Sequence, residues 1–186
     1  MDGEICVRDM RDDDADYAQL TRWRSDARVA HWYGGVRDAP VDATSARARY
    51  RPRVLGYVEV VPCIAEAQGA PIGYVQFYPV FDAASYGLDD AEATWGMDLY
   101  VGEPARWGTG IGTRIVRLVR DHLFTTEAAQ RVVIDPWAEN TRAIRSYEKA
   151  GFRRVKALPC HELHDGSPRD CVLMLADRPQ LDPNAR

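Results

Sequence analysis

No apolar run in the chain approaches the roughly 20 residues that cross a bilayer as a helix; the longest, such as Val60–Ala65, are far shorter. Positive charge is not in excess either. The 24 basic and 28 acidic residues leave a net charge of −4, without the basic footprint of a nucleic-acid binder. Cysteine is scarce, and Cys6, Cys63, Cys160 and Cys171 form no CxxC pair, so free thiols are expected and no disulfide framework. Met1-Asp2-Gly3-Glu4 offers neither a basic n-region nor an apolar h-region, which leads us to expect a cytoplasmic protein. What is present is an ordinary globular composition, 46% hydrophobic and 28% charged over 186 residues. That is enough for one domain with its own core. The expected partner is a small molecule, with no nucleic acid and no membrane, and the chain is expected to be a monomer or homodimer.

Periodicity divides the chain into a single α/β domain over 1–176 and a Pro- and Asp-containing tail at 177–186. After a short strand at Ile5–Arg8, Asp12–Asp14 supply N-cap candidates for a helix carrying Tyr17, Leu20 and Trp23 on one face. His31–Gly35, two aromatics and two glycines, suggests an exposed, tightly turned loop. Asp42–Tyr50 predicts a second helix, closed by Pro52. Val60–Glu66 and Ile72–Tyr78 are strand-like, joined by the turn residues Gln68–Pro71. A polar loop at Phe81–Glu92 leads to a strand at Ala93–Val101. Ile111, Ile115, Leu118, Val119 and Leu123 then mark an amphipathic helix. A strand at Val132–Ile134, a helix from Asn140 to Ala150 stopped by Gly151, and strands at Phe152–Leu158 and Val172–Leu175 complete the pattern. Cys160–Asp165 holds metal-capable side chains, but its apolar/polar alternation reads better as a polar hairpin end, so no metal is expected.

Gly108, Gly110 and Gly112 lie where a strand has ended and a helix begins. Glycine lets a ligand approach the backbone, and the first amides of a helix point outward at the positive end of its dipole. Such a place binds phosphate oxygens. No lysine follows the glycines, as a Walker loop requires, and the loop sits in the second half of the chain with the wrong glycine spacing for a dinucleotide fingerprint. The segment Trp107–Gly112 instead resembles the pyrophosphate loop, Gln/Arg-x-x-Gly-x-Gly/Ala, of the GCN5-related N-acetyltransferase superfamily, with Trp107 at its first position. Asp135-Pro136, Asn140, Ala143 and Tyr147–Phe152 match a second element of that family. Trp32-x-Gly34-Gly35, Tyr50-x-Pro52, Glu59-x-x-Pro62-x-Ile64-Ala65, Pro71–Tyr74 with Gln76, Gly96-x-Asp98 and Ile134–Pro136 are similar to the aminoglycoside 6'-N-acetyltransferases, resistance enzymes within it. The likeness covers roughly Trp23 to Phe152.

The resemblance implies a mixed, mostly antiparallel α/β sheet with splayed parallel strands and flanking helices. It also implies acetyl-CoA as donor. Amides of Gly108, Thr109, Gly110, Gly112 and Thr113, with Trp107 beside them, would hold the pyrophosphate. The main chain of Leu99, Tyr100 and Val101 and the side chain of Asn140 would meet the pantetheine arm. The thioester would lie between that strand and Val132–Ile134. A hydroxyl-rich polycation needs carboxylates and flat aromatic faces. Glu59, Asp98 and Asp135 could attract ammonium groups, Trp32, Tyr33, Tyr50 and Tyr78 could stack on sugars, and Gln76 belongs to the same matching segment. An alkyl ammonium must lose a proton before it attacks a thioester. Asp98, alone in an otherwise apolar strand, is the candidate base. A main-chain N–H near Leu99 or Tyr100 would face the oxyanion, and Tyr147 is the candidate acid for the leaving thiolate. No acetyl-cysteine is required. Another acceptor amine, or a non-catalytic drug-binding module, are the alternative readings.

Overall fold

The computed structural model describes residues 4–35, 37, 39–88 and 93–179. Seven strands form one sheet: β1 (Ile5–Asp9), β2 (Val61–Ala67), β3 (Ala70–Pro79), β4 (Thr94–Val101), β5 (Arg131–Ile134), β6 (Arg153–His164) and β7 (Ser167–Asp177). Their order is β1-β2-β3-β4-β5-β7-β6, antiparallel throughout except for the parallel pair β4–β5. Among the described residues five α-helices flank them: α1 (Asp14–Arg24), α2 (Ala27–Trp32), α3 (Ala43–Val54), α4 (Ile111–Thr125) and α5 (Thr141–Lys149).

Local chemistry accounts for the boundaries. Asp13 caps α1 by accepting from the Asp16 amide at 2.9 Å, and Asn140 caps α5 by accepting from the Ala143 amide at 3.1 Å. Each such cap contributes about 1 kcal/mol. Gln68 and Gly69 both have positive φ (55° and 74°), the signature of a two-residue hairpin turn whose twist matches its strands. One face of the sheet buries Val75, Phe77, Met97 and Ile134 against the stripe Ile111, Ile115, Val116, Val119 and Leu123 of α4. The other face carries Tyr74 and Tyr100, covered by Tyr17, Leu20 and Trp23 of α1 and Tyr50 of α3.

Five expectations need correction. Leu118 does not join the α4 stripe; it is 43% exposed, because the buried arc turns instead through Val116. His31 and Trp32 belong to α2, a helix too short to show periodicity, anchored by its Asp26 cap and by buried Val29 and Ala30. Pro52 lies inside α3 rather than ending it. It falls in the last turn, with only Arg53 and Val54 after it, and burial of Ala46 and Tyr50 holds the helix despite the lost amide bond. The closing strands Phe152–Leu158 and Val172–Leu175 run on into a long β6–β7 hairpin, whose end is the Cys160–Asp165 segment, as its alternation suggested, strand to His164 and turning at Asp165-Gly166. Asp177 is still part of β7; residues 89–92 of the expected loop and 180–186 of the expected tail lie outside the described residues.

Candidate active site

β4 and β5 pair over only three positions, Thr94 with Arg131, Trp95 with Val132 and Gly96 with Val133. Beyond Gly96 the strands part. β4 keeps its bonds to β3 as far as Val101, while its other edge opens onto a cavity of about 670 Å³. The ring of Tyr78 lies so close over Gly96 that an added Cβ would stand 2.4 Å from it, so this position at the mouth of the fork requires glycine.

Asp98 is two residues beyond the fork and lines the cavity. Its cross-strand neighbour Gln76 donates from Nε2 to Asp98 Oδ2 at 2.8 Å, and Tyr74 donates to Gln76 Oε1 at 2.8 Å. Burial, reinforced by the charge of Asp135, pushes the Asp98 carboxyl up to about 7, against the stabilising hydrogen bonds from Gln76 and Tyr78. Asp135, at the end of β5, receives a hydrogen bond from Tyr86 at 3.3 Å and lies 3.0 Å from His161 Nε2. Glu162 of β6 accepts from Trp137 Nε1 at 2.9 Å, and burial raises its carboxyl. Tyr147 of α5 lines the same cavity, and burial, with the charges of Asp98 and Asp135, raises its phenol well above the ordinary tyrosine range.

The opposite wall is built from backbone. Gly108 and Gly110 have φ of 81° and 87°, and a Cβ on either would meet nothing within 4 Å. Gly110 is the N-cap of α4 and no side chain caps that helix, so its leading amides face the cavity without a competing side-chain acceptor. Thr113 Oγ1 lies 2.8 Å from Ser146 Oγ, tying the start of α4 to α5. Trp107 donates its indole N–H to the Val101 carbonyl at 2.8 Å, fixing the loop to the end of β4. These open glycines, uncapped amides and unpaired strand edge fit a phosphorylated, amide-bearing donor such as acetyl-CoA.

The cavity gathers Trp32, Tyr33, Asp98, Leu99, Tyr100, Val101, Trp107, Gly108, Gly110, Gly112, Thr113, Asp135, Asn140 and Tyr147 from the sequence-derived candidates. Gln76 and Tyr78 stand behind Asp98 rather than on the surface. Three candidates lie elsewhere. Tyr50 is 2% exposed and packs edge-on against Tyr74, because the inward face of α3 is the core side. Glu59 is exposed and borders a separate depression with Asp9, Pro62 and Trp95, carried there by the turn after α3. Thr109 is exposed, its hydroxyl donating to the Arg106 carbonyl at 2.8 Å. Sequence reasoning missed Trp137, Glu162 and Arg142, all of which line the cavity. For Glu162 the signal was the titratable cluster Cys160–Asp165 itself. None of the four cysteines lines the cavity.

Comparison with known proteins agrees with this geometry. Residues 12–159 match the family model described as an acetyltransferase (GNAT) domain. Aminoglycoside N(6')-acetyltransferase type 1 of Klebsiella pneumoniae is 34% identical over 141 residues, 75% of this chain and 70% of the relative. The kanamycin resistance protein of Rhizobium radiobacter is 41% identical over 59 residues, 32% of this chain and 55% of that one. Among solved structures, the aminoglycoside acetyltransferase AAC(6')-Ib in complex with ribostamycin and coenzyme A superposes with a TM-score of 0.75 at 30% identity, covering 94% of each chain.

Proposed function

The chain belongs to the GNAT acetyltransferases, and from that premise we propose that it transfers the acetyl group of acetyl-CoA to the 6'-amine of an aminoglycoside. The observation that carries this reading is the single cavity in which a carboxylate on a free strand edge, Asp98, meets an uncapped, glycine-built helix N-terminus. Acetyl-CoA, when bound, supplies the activated acetyl thioester. The amides of Gly108, Gly110, Gly112 and Thr113 hold its phosphates, and the open edge of Leu99–Val101 and the free amide end of Asn140 orient its pantetheine arm.

Asp98 pairs with the acceptor ammonium and takes its proton, a task matched by a carboxyl raised to about 7. An ordinary aspartate near 3.9 would accept that proton poorly. The main-chain N–H of Leu99, on the edge of β4 that β3 leaves open, faces the oxygen that gains charge as the amine attacks. Tyr147 remains a phenol at neutral pH and protonates the departing thiolate. Asp135 and Glu162 attract further ammonium groups, while Trp32 and Tyr33 offer faces for sugar rings and cations. The acetyl group passes directly from donor to amine. We place this chemistry in the cytoplasm and in a single domain that extends through Asp177 at the end of β7.

Thiol release from acetyl-CoA, followed with kanamycin, ribostamycin, spermidine and a peptide amine, tests the assignment. Turnover of the aminoglycosides, with NMR locating the acetyl group on the 6'-nitrogen, is expected. Turnover of spermidine or peptide alone overturns it.

A further inference from the structure

The cofactor side of the cavity is also lined by four cations: Arg106, Arg142, Arg145 and Lys149. Arg142 is distinguished by its support. Its guanidinium carbon lies 3.9 Å from the centre of the Trp107 ring, closer than the other cation–aromatic contacts described, such as Arg47 on Tyr17 at 4.5 Å or Arg24 on Tyr33 at 5.3 Å. Trp107 is itself fixed, through the indole bond to Val101 described above. A continuous support therefore runs from the free end of β4 through an indole ring to a planar cation. Other arginines are held by carboxylates, as Arg8 is by Asp16 and Glu66 and Arg154 by Glu148, or by backbone carbonyls, as Arg24 is by Gly35. Among the described residues Arg142 has no ion pair, and partial burial lowers its pKa.

Placement adds to this. Trp107 immediately precedes Gly108, and Arg142 is the second residue of α5, two after its cap. The guanidinium thus stands beside the glycine loop, near the positive ends of both α4 and α5. The loop offers amides and no cationic side chain of its own between Gly108 and Thr113. A diphosphate carries two negative charges, and a planar fork of N–H donors suits paired phosphate oxygens. Contact with the indole face confines that fork before the ligand arrives, which reduces the ordering cost of binding.

We propose that Arg142, held over the Trp107 ring, is the side-chain cation that grips the diphosphate of the acetyl donor. The assignment rests on the acetyl-CoA reading above and adds to it a named contact from α5. Trp107 acts through Arg142, as the platform that positions it.

Three donors separate the sources of phosphate: acetyl-CoA, acetyl-dephospho-CoA, which lacks the 3'-phosphate, and acetylpantetheine, which lacks every phosphate involved. In Arg142→Gln, calorimetry should show Kd weakened about tenfold for both acetyl-CoA and acetyl-dephospho-CoA. kcat/KM for acetylpantetheine should be unchanged. Trp107→Leu should reproduce the loss, Trp107→Phe should retain most of the affinity, and the double variant Trp107→Leu/Arg142→Gln should be no weaker than either single one. A loss confined to acetyl-CoA assigns Arg142 to the 3'-phosphate and overturns the proposal. So does an equal loss with acetylpantetheine, which marks a merely structural role, or unchanged affinity throughout. If the unaltered protein binds no acetyl-CoA, the acetyl-transfer reading itself fails; if it binds normally and Arg142→Gln does too, only the role of Arg142 fails.

Discussion

The two walls of the cavity are made of different materials. On the acceptor wall, side chains from β4, the end of β5 and β6 do the work, and their protonation is set by burial and by one another: Asp98 against Asp135, Tyr147 against both. On the cofactor wall the working groups are backbone amides, exposed because Gly108 and Gly110 take positive φ and leave α4 uncapped. The first wall is tuned by charge and should respond to pH. The second is tuned by conformation and should respond to a change in backbone freedom.

The largest separation between the walls is expected from Asp98→Asn. It keeps the shape and loses the proton acceptor, so kcat should fall about 10²- to 10⁴-fold while calorimetry finds acetyl-CoA affinity intact. In the unaltered enzyme Asp98 must be unprotonated to act. kcat should therefore fall as pH is lowered through about 7, a limb absent from the variant's residual rate. Tyr147→Phe comes next, with kcat at saturating donor reduced about 10- to 100-fold and Kd for acetyl-CoA unchanged; an unaltered kcat removes Tyr147 as the acid.

Gly110→Val tests the other wall. Its Cβ has open space, but φ of 87° strains a branched residue. Acetyl-CoA binding, read by calorimetry, should weaken about tenfold, with the pH dependence of kcat preserved. The smallest effect is thermal. Folded Asp98 holds its proton to about pH 7, whereas the unfolded chain releases it near 3.9. The stability this gives is complete below about pH 4 and lost as pH rises through 7. Asp98→Asn does not lose it, so at pH 8 the inactive variant should melt a few degrees higher than the active protein. An equal or lower Tm would break the link between the base and its burial.

How much of this could be read from the chain follows the same division. The glycine loop is contiguous, so its spacing located it, the run from Asn140 to Phe152 stood out through its resemblance to a family element, and strands and main helices emerged from their periods. Asp98 was legible because a lone carboxylate interrupts an apolar strand. Trp137 and Arg142 were not, since Trp137 is set by its bridge to Cys171 and Arg142 by the pitch of α5, and Glu162 was signalled only by its titratable neighbours, since the long β6–β7 hairpin that brings it to the cavity is not encoded in local pattern. Tyr50 and Glu59 went astray for the converse reason. An aromatic or an acid carries no mark of the side on which its helix or turn presents it. The six-residue α2 is too short for a period to register at all.

The fork between β4 and β5 has a further consequence. Its opening is set by where a ladder of main-chain bonds stops, after Gly96. Substitutions along the slot can therefore change what is accepted without changing whether there is a slot. A protein organised in this way can explore new acceptors while its donor geometry stays put, much as a workbench keeps its vice while the tools are exchanged.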